Sequence, residues 1–534
     1  MRTTQPHPAR IRPSPFLRLL AAALGLASTN ALPAQTRVAR VFGDHMVLQR
    51  EQPLRIDGRD TPGTKVVVRF ADQEVTATAG ADGAFTATLA PLAAAATGRE
   101  LVVAGSTTVR FADVVVGDVW LCSGQSNMAW GLGGCDARAD IDAAALPAIR
   151  YRPYFEHFAG EPQPDLRDGA SWRPISPDTA ADCTAVGFYF ARAVQPVAGV
   201  PIGLLTCTVG GTEIECWMPP AAFTDFPANR AIGEERQRRI VAWQQALAAA
   251  VPEVERWTQR AKAAVAAGAT IPPPPHLPLH PNEDRSEWHR TQSLYNGMVH
   301  PLTRFPVRGV LWYQGENNGH EQDGYVAKFT ALVATWRQLW GRELPFYFVQ
   351  LANYERRTDD PAGGDGFAAC RMAQLLCTRL PKTGMAVAID LGDADDIHPR
   401  NKFDVGLRLA RHALANEYGQ RLDPSGPLFA GCERDGAALR VRFDHAAEGL
   451  MVGSKRGREP VVAAATDAPR GFAIAGADRR WHHAEARIDG STVVVRSDAV
   501  PEPVAVRYAH RGNPDADRYD RDGLPASPFR SDAW

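Results

Sequence analysis

Gly117-Asp118-Val119-Trp120-Leu121-Cys122-Ser123-Gly124-Gln125-Ser126-Asn127-Met128 is the stretch on which the fold turns. From Val114 to Leu121 the chain is almost uninterruptedly apolar, as a strand buried on both faces is. The run stops at small, turn-forming residues, and Ser126 follows at once. On a parallel sheet, a serine on that turn stands at the C-terminal end of the strand, where α/β enzymes place their reacting groups. The sharpest such turn is G-x-S-x-G. Here Gly124-Gln125-Ser126-Asn127-Met128 lacks the second glycine. Ser126 or Asn127 could equally cap a short helix, so this segment alone leaves catalysis and plain structure evenly matched.

Working outward, the pattern after this strand alternates strand and helix. Gly309–Tyr313, Pro345–Leu351 and Met385–Asp390 read as buried strands. Ala327–Trp340 and Val405–Tyr418 have helical spacing. That alternation predicts an α/β fold, a mainly parallel sheet with flanking helices, over residues 113–422. Inside it, residues of about 225–290 form an insertion. Its stretch Glu234–Ala267 is expected to be a helical pair, split at Pro252 and ended by Pro272–Pro275. Before it, residues 35–112 show short strands such as Lys65–Phe70, Glu74–Thr78 and Ala84–Leu89 between Gly-rich turns, as in a β-sandwich-like module. After it, residues 423–534 return to strands at Ala438–Phe443, Phe472–Ala475, Thr492–Arg496 and Pro503–Tyr508, a second β-rich, sandwich-like module.

A chain of 534 residues is too long for one core, which agrees with several modules. A formal net charge of -1 gives no electrostatic footprint for nucleic acid or an anionic membrane surface. At the N-terminus, Arg2, Arg10, Arg12 and Arg18 flank or enter the apolar stretch Phe16–Ala27, and Ala31 and Ala34 follow. This reads as a secretory signal over residues 1–34 with cleavage near Ala34, too short to span a bilayer permanently. The expectation is a secreted or periplasmic protein with no membrane span. Export permits disulfides, and Cys207 and Cys216 could bridge across a loop, although spacing does not fix a pairing. Cys122, at the end of a buried strand, is expected to be core. No C-x-x-C pair points to structural zinc, and no metal or cofactor is expected.

A serine hydroxyl is a weak nucleophile and needs a base. His398, in Asp393-Ala394-Asp395-Asp396-Ile397-His398-Pro399, follows a strand and so stands at the same sheet edge as Ser126. A histidine base needs an acceptor for its other nitrogen. Asp395 and Asp396 both lie within reach. Donors for a developing oxyanion are available in two further loops. Val209-Gly210-Gly211-Thr212-Glu213 can present a backbone N–H unobstructed by side chains. Asn317, in Trp312-Tyr313-Gln314-Gly315-Glu316-Asn317-Asn318, can present an amide. Gln125 and Gln314 are candidate substrate-binding residues, while Glu316 is expected to be structural, since a carboxylate facing an oxyanion would repel it.

A serine, then a glycine, then Gly-x-Asn, then Asp-x-x-His, in that order, is the block order of the SGNH hydrolases. The wording of the blocks resembles the sialate O-acetylesterase family. Further matches are Val41–Gln49, Leu294–Met298 and Gly523–Asp532, so the resemblance spans nearly the whole chain after residue 34. It implies hydrolysis of O-acetyl esters on a sugar or glycan, without a metal. Ser126 would be the nucleophile and His398 the base. The Ser126 and Gly211 N–H groups, with the Asn317 side chain, would hold the oxyanion. The superfamily pattern selects Asp395 as the orienting acid, the sialate pattern selects Asp396, and a Ser–His pair oriented by backbone alone stays open. O-acetylated sialic acids are the leading substrate. Acetylated xylan, a non-catalytic carbohydrate-binding role and peptidase or lipase activity are the alternatives. No arginine is assigned to a sialate carboxylate, and oligomeric state is not fixed.

Overall fold

The computed structural model describes residues 35–534 except 154–155, 168–169 and 284–290. The proposed signal at 1–34 therefore lies outside the described residues. The molecule is α/β, built on a sheet whose core is six parallel strands. These are β1 (Thr108–Gly124), β2 (Leu146–Arg152), β3 (Ile202–Thr208), β4 (Gly309–Tyr313), β5 (Phe346–Gln350) and β6 (Thr383–Val387). Their order across the sheet is β2-β3-β1-β4-β5-β6, with Arg173–Ile175 added antiparallel beside β2.

β1 explains much of the architecture. Its residues 108–113 alternate between exposed and half-buried, and residues 114–124 are all buried. Alternation belongs to an antiparallel sheet with one wet face, and continuous burial to a parallel sheet covered on both. The strand does both. Its first half pairs antiparallel with Ala95–Ala104, which pairs with Lys65–Phe70, itself paired with Gln73–Thr78. Its second half enters the parallel sheet between β3 and β4. A single strand thus runs continuously through residues 112 and 113. Asp118 is a carboxylate wholly enclosed in this strand, and such a charge is tolerated only when paired and hydrogen-bonded. Arg50 pairs with it at 3.0 Å, and the Gln49 amide and the Tyr418 hydroxyl donate to it at 3.0 and 3.1 Å.

Helices cover both faces. Neighbouring residues of a strand point to opposite faces, and β5 shows which helix lies where. Phe346 and Phe348 meet Phe329 of α4 (Asp323–Trp340), whereas Tyr347 stacks on His412 of α6 (Lys402–Asn416). α2 (Ala185–Ala198) shares the Tyr347 face, since Trp120 contacts both Tyr347 and Phe190. α5 (Ala368–Cys377) packs beside α4.

The expected helical pair at 234–267 is instead one helix, α3 (Arg230–Ala266), which continues through Pro252. An interior proline removes one hydrogen bond and costs roughly 3 kcal/mol. The Ala-, Gln- and Glu-rich sequence around it propagates helix well enough to continue past it. The proline-rich segment that follows folds back along α3, where the Trp257 and Trp243 indoles donate to the Pro272 and Pro278 carbonyls at 2.8 and 3.1 Å.

Beyond α6 the chain forms three antiparallel sheets. Gln350 of β5 donates to Ser527 at 2.8 Å, and the buried Asp532 carboxylate pairs with Arg507 and Arg530, which docks the last segment. All eight cysteines are free thiols, so Cys207 and Cys216 do not bridge. Cys207 is buried within β3, in register with Ser123. Cys122 is fully buried, and burial pushes its thiol up to about 12, as expected of an inert core cysteine.

Candidate active site

β1 connects towards one side of the sheet and β4 towards the other, which makes the gap between their C-terminal ends a topological switch point where such sheets open a crevice. Gly124 closes β1 at φ 131°, and a Cβ there would lie 2.1 Å from the Tyr313 carbonyl oxygen of β4. Only glycine lets the two strands stay paired through this turn. Ser126 then opens α1 (Ser126–Ala129). On its other side, a Cβ on Gly210 would sit 3.2 Å from Cβ of Ser126, so the loop after β3 lies directly against the serine. Met128, where an elbow would carry its second glycine, is a fully buried residue of α1.

The structure brings Ser126 and His398 together across 272 residues of sequence, with His398 Nε2 2.9 Å from Ser126 Oγ. Hydrogen bonding at this distance lets an imidazole take a hydroxyl proton. Of the two candidate acids, Asp396 faces the imidazole. Its Oδ1 is 3.6 Å from His398 Nδ1, beyond a hydrogen bond, and accepts the backbone N–H of His398 at 2.8 Å. Asp395 is exposed, its own N–H donates to Asp393 at 2.9 Å, and among the described residues no ion pair joins it to His398. Burial and the Lys402 ammonium hold the His398 pKa below its ordinary value, with Asp396 opposing.

Asn317 reaches the same edge. Its Nδ2 donates to the Gly211 carbonyl at 3.2 Å, so the two expected oxyanion groups are in contact. The two glutamines do not reach the open face. Gln125 is buried, and its Oε1 accepts from Gly315 N–H at 3.2 Å and from Asn317 N–H at 3.5 Å. Gln314 is fully buried, and its amide donates to the Thr212 carbonyl at 3.1 Å and to Asn318 Oδ1 at 2.7 Å. Both brace the loops that carry the site. Glu316 turns away from the oxyanion groups, as expected, and accepts from Asn127 Nδ2. Its carboxylate is enclosed, and burial raises its pKa.

Two neighbours were not read from the sequence. Trp130 stacks on His398 with centroids 4.7 Å apart, and fully buried Lys402 donates to Asn127 Oδ1. Trp130 follows the serine motif by only a few residues. Lys402 falls on the first turn of α6, just outside the helix expected from Val405. Among the described residues, no group of three or more His, Cys, Asp or Glu side chains could hold a metal ion.

Residues 116–263 and 283–415 match the family model described as carbohydrate esterase, sialic acid-specific acetylesterase. A sialate O-acetylesterase of Rattus norvegicus is 32% identical over 436 residues, covering 73% of this chain and 76% of that protein. The Homo sapiens sialate O-acetylesterase is 29% identical over 434 residues, covering 73% of each. Among solved structures, a carbohydrate acetylesterase from Xanthomonas citri is 35% identical, with a TM-score of 0.76 over 94% of this chain and 100% of that one. These matches place the protein among the carbohydrate esterases. The chain belongs to the sialic acid-specific acetylesterase family and is a hydrolase of carboxylic esters.

Proposed function

We propose that this protein removes O-acetyl groups from sialic acids by an acyl-enzyme mechanism on an SGNH-type catalytic unit, residues 113–422. β-sandwich-like modules at 35–112 and 423–534 would flank it. The observation that carries the mechanism is the 2.9 Å contact between His398 Nε2 and Ser126 Oγ. Ser126 Oγ attacks the acetyl carbonyl carbon while its proton passes to His398 Nε2. The tetrahedral oxyanion is held by the Ser126 and Gly211 N–H groups and by Asn317 Nδ2, which turns from the Gly211 carbonyl. The intermediate collapses, and the imidazolium returns its proton to the departing sugar oxygen. Water, deprotonated by His398, then attacks the carbonyl carbon of the acetyl-serine, and acetate leaves as the imidazolium returns the proton to Ser126 Oγ. Asp396 stabilises the imidazolium from the Nδ1 side.

The sialic acid substrate rests on the family model and on relatives named for that activity. The N-terminal 34 residues would direct the chain outside the cytoplasm. The test is acetate release from acetylated sialosides and acetylated xylo-oligosaccharides, by the native protein and by Ser126→Ala. Fast release from sialosides, abolished in Ser126→Ala, is expected. Preference for the xylo-oligosaccharides would move the substrate, and full activity in Ser126→Ala would overturn the nucleophile.

A further inference from the structure

Behind the serine and histidine lies a buried polar cluster that the proton transfers do not use. Lys402, the first residue of α6, is fully enclosed. Its ammonium donates to Asn127 Oδ1 and, at 2.7 Å, to the Pro399 carbonyl. Asn127 Nδ2 donates to the Glu316 carboxylate and, at 3.0 Å, to the Ile397 carbonyl. The placement of these partners is the point. Asn127 adjoins Ser126, Ile397 and Pro399 flank His398, and Glu316 adjoins Asn317. Three of these hydrogen bonds join the connections after β1, β4 and β6, and the fourth ties Lys402 back to the histidine loop, each through a residue next to one of the reacting groups.

Enclosing an ammonium and a carboxylate is a poor way to gain stability, since desolvation costs several kcal/mol per ion and an apolar filling often does better. What such a network gives is a fixed geometry. The imidazole needs one, because the Asp396 carboxylate is too far from Nδ1 to hydrogen-bond it.

We propose that Lys402 is a positioning residue which, acting through Asn127 and balanced by Glu316, holds His398 in line with Ser126. This rests on Ser126 and His398 being the reacting pair. The clamp grips the histidine loop on both sides of His398 and the serine loop at the next residue, so loosening it changes the separation and angle of the pair directly. It has an electrostatic consequence too. Burial lowers the pKa of the Lys402 ammonium to about 8, against the opposing fields of Cys135, Glu316 and Asp396. That cation and Asp396 act on His398 with opposite sign.

The test compares Lys402→Met, Asn127→Ala and the double variant with Ser126→Ala, using steady-state hydrolysis of 4-nitrophenyl acetate by the full chain. A misplacement of the pair by about 1 Å is expected to lower kcat on the order of 10²-fold in each single variant, with KM within about threefold. The double variant should be no slower than the worse single one, because both break one clamp. Removing the cation favours the imidazolium, so the acid limb of kcat/KM in Lys402→Met should move to higher pH, which a loss of packing alone would not cause. Native kcat in a folded Lys402→Met protein, or losses that multiply in the double variant, would overturn the proposal. Should Lys402→Met not fold, Asn127→Ala decides alone, and an unchanged kcat there is equally fatal. An active Ser126→Ala would instead sink the nucleophile itself. An inactive Ser126→Ala beside a fully active Lys402→Met would remove only the clamp.

Discussion

The indole of Trp130 lies against the imidazole of His398, with ring centroids 4.7 Å apart and planes 19° from parallel, and its N–H is anchored on the Gly134 carbonyl at 3.0 Å. The contact does two things. It fixes the plane of the imidazole, and in the proposed mechanism it offers the imidazolium an aromatic face when the serine proton arrives. Stacking is worth about 0.5–1.5 kcal/mol, and a cation over the indole up to about 2 kcal/mol.

Trp130→Ala should accordingly lower kcat roughly 3- to 30-fold, at about 1.4 kcal/mol per factor of ten. Trp130→Phe should recover most of that loss. Steady-state kinetics on a small acetyl ester, with circular dichroism as the check on folding, decide it. An Ala variant as fast as the native protein would reduce Trp130 to a wall of the cleft.

The two aspartates are separated by geometry. Asp396 lies 3.6 Å from Nδ1 with a side chain 41% exposed, so water shares its field. Asp396→Asn should cost on the order of 10- to 100-fold in kcat, well short of the ~10⁴ that follows amidation of a buried triad aspartate. Asp395→Asn should stay close to native. A larger loss at Asp395 would mean that the loop rearranges when substrate binds.

Why the sequence left that choice open is instructive. Both acids are in reach by residue count, but the turn decides which side chain faces inward. Asp393 accepts the Asp395 N–H, and Asp396 accepts the N–H of His398. Those bonds depend on local dihedrals that residue spacing does not carry. Periodicity did carry the sheet: β4 was expected at Gly309–Tyr313 and stands there. It cut β1 short at Val114, because that strand changes its burial pattern halfway along as it passes from one sheet to the other. It also placed the start of α6 at Val405, past Lys402, since a lysine on an otherwise apolar face does not look buried. The burial of Gln125 and Gln314, named as candidate substrate-binding residues, comes from tertiary packing that residue spacing does not carry.

In the proposed mechanism the acid limb of activity reports His398. As the base it must be neutral, and burial followed by Lys402 holds its pKa below 6.5, with Asp396 only partly opposing. The midpoint of kcat/KM on the acid side should lie below 6.5. A midpoint above that value would show that Asp396 outweighs burial and Lys402 together.

Stability should fall in acid for a separate reason. Burial, the largest cause for both, holds His412 down at about 4 and His510 at about 3, against 6.5 for an ordinary histidine. Below 6.5 the unfolded chain binds protons that the folded one refuses, so the stability present above 6.5 is lost as pH falls towards 4. By about pH 5 the loss should be on the order of 2 kcal/mol per histidine, at about 1.4 kcal/mol per pH unit. Thermal melting at neutral and mildly acid pH measures it, and His412→Gln should flatten the dependence if it folds. A Tm that does not change over this range would contradict it.

Asn317 separates binding from catalysis. Its amide donates to the Gly211 carbonyl, one residue from the Gly210 backbone that touches Ser126. To serve the oxyanion it must exchange that neutral acceptor for a charged one, and a hydrogen bond to a charge is about twice as strong as a neutral one. The gain therefore appears only as negative charge develops on the acetyl oxygen. Removing the amide should lower kcat and leave KM nearly unchanged. Asn317→Ala should cost on the order of 10²–10³ in kcat, or about 3–4 kcal/mol. Gln314→Ala is the contrasting variant. Its amide holds Thr212 and Asn318 from within the core, so it should lower Tm before it lowers kcat in the protein that remains folded. Initial rates on a small acetyl ester, set beside melting curves, distinguish the two residues. If Asn317→Ala raised KM at constant kcat, Asn317 would contact the sugar, and the oxyanion would depend on the backbone N–H groups of Ser126 and Gly211 alone.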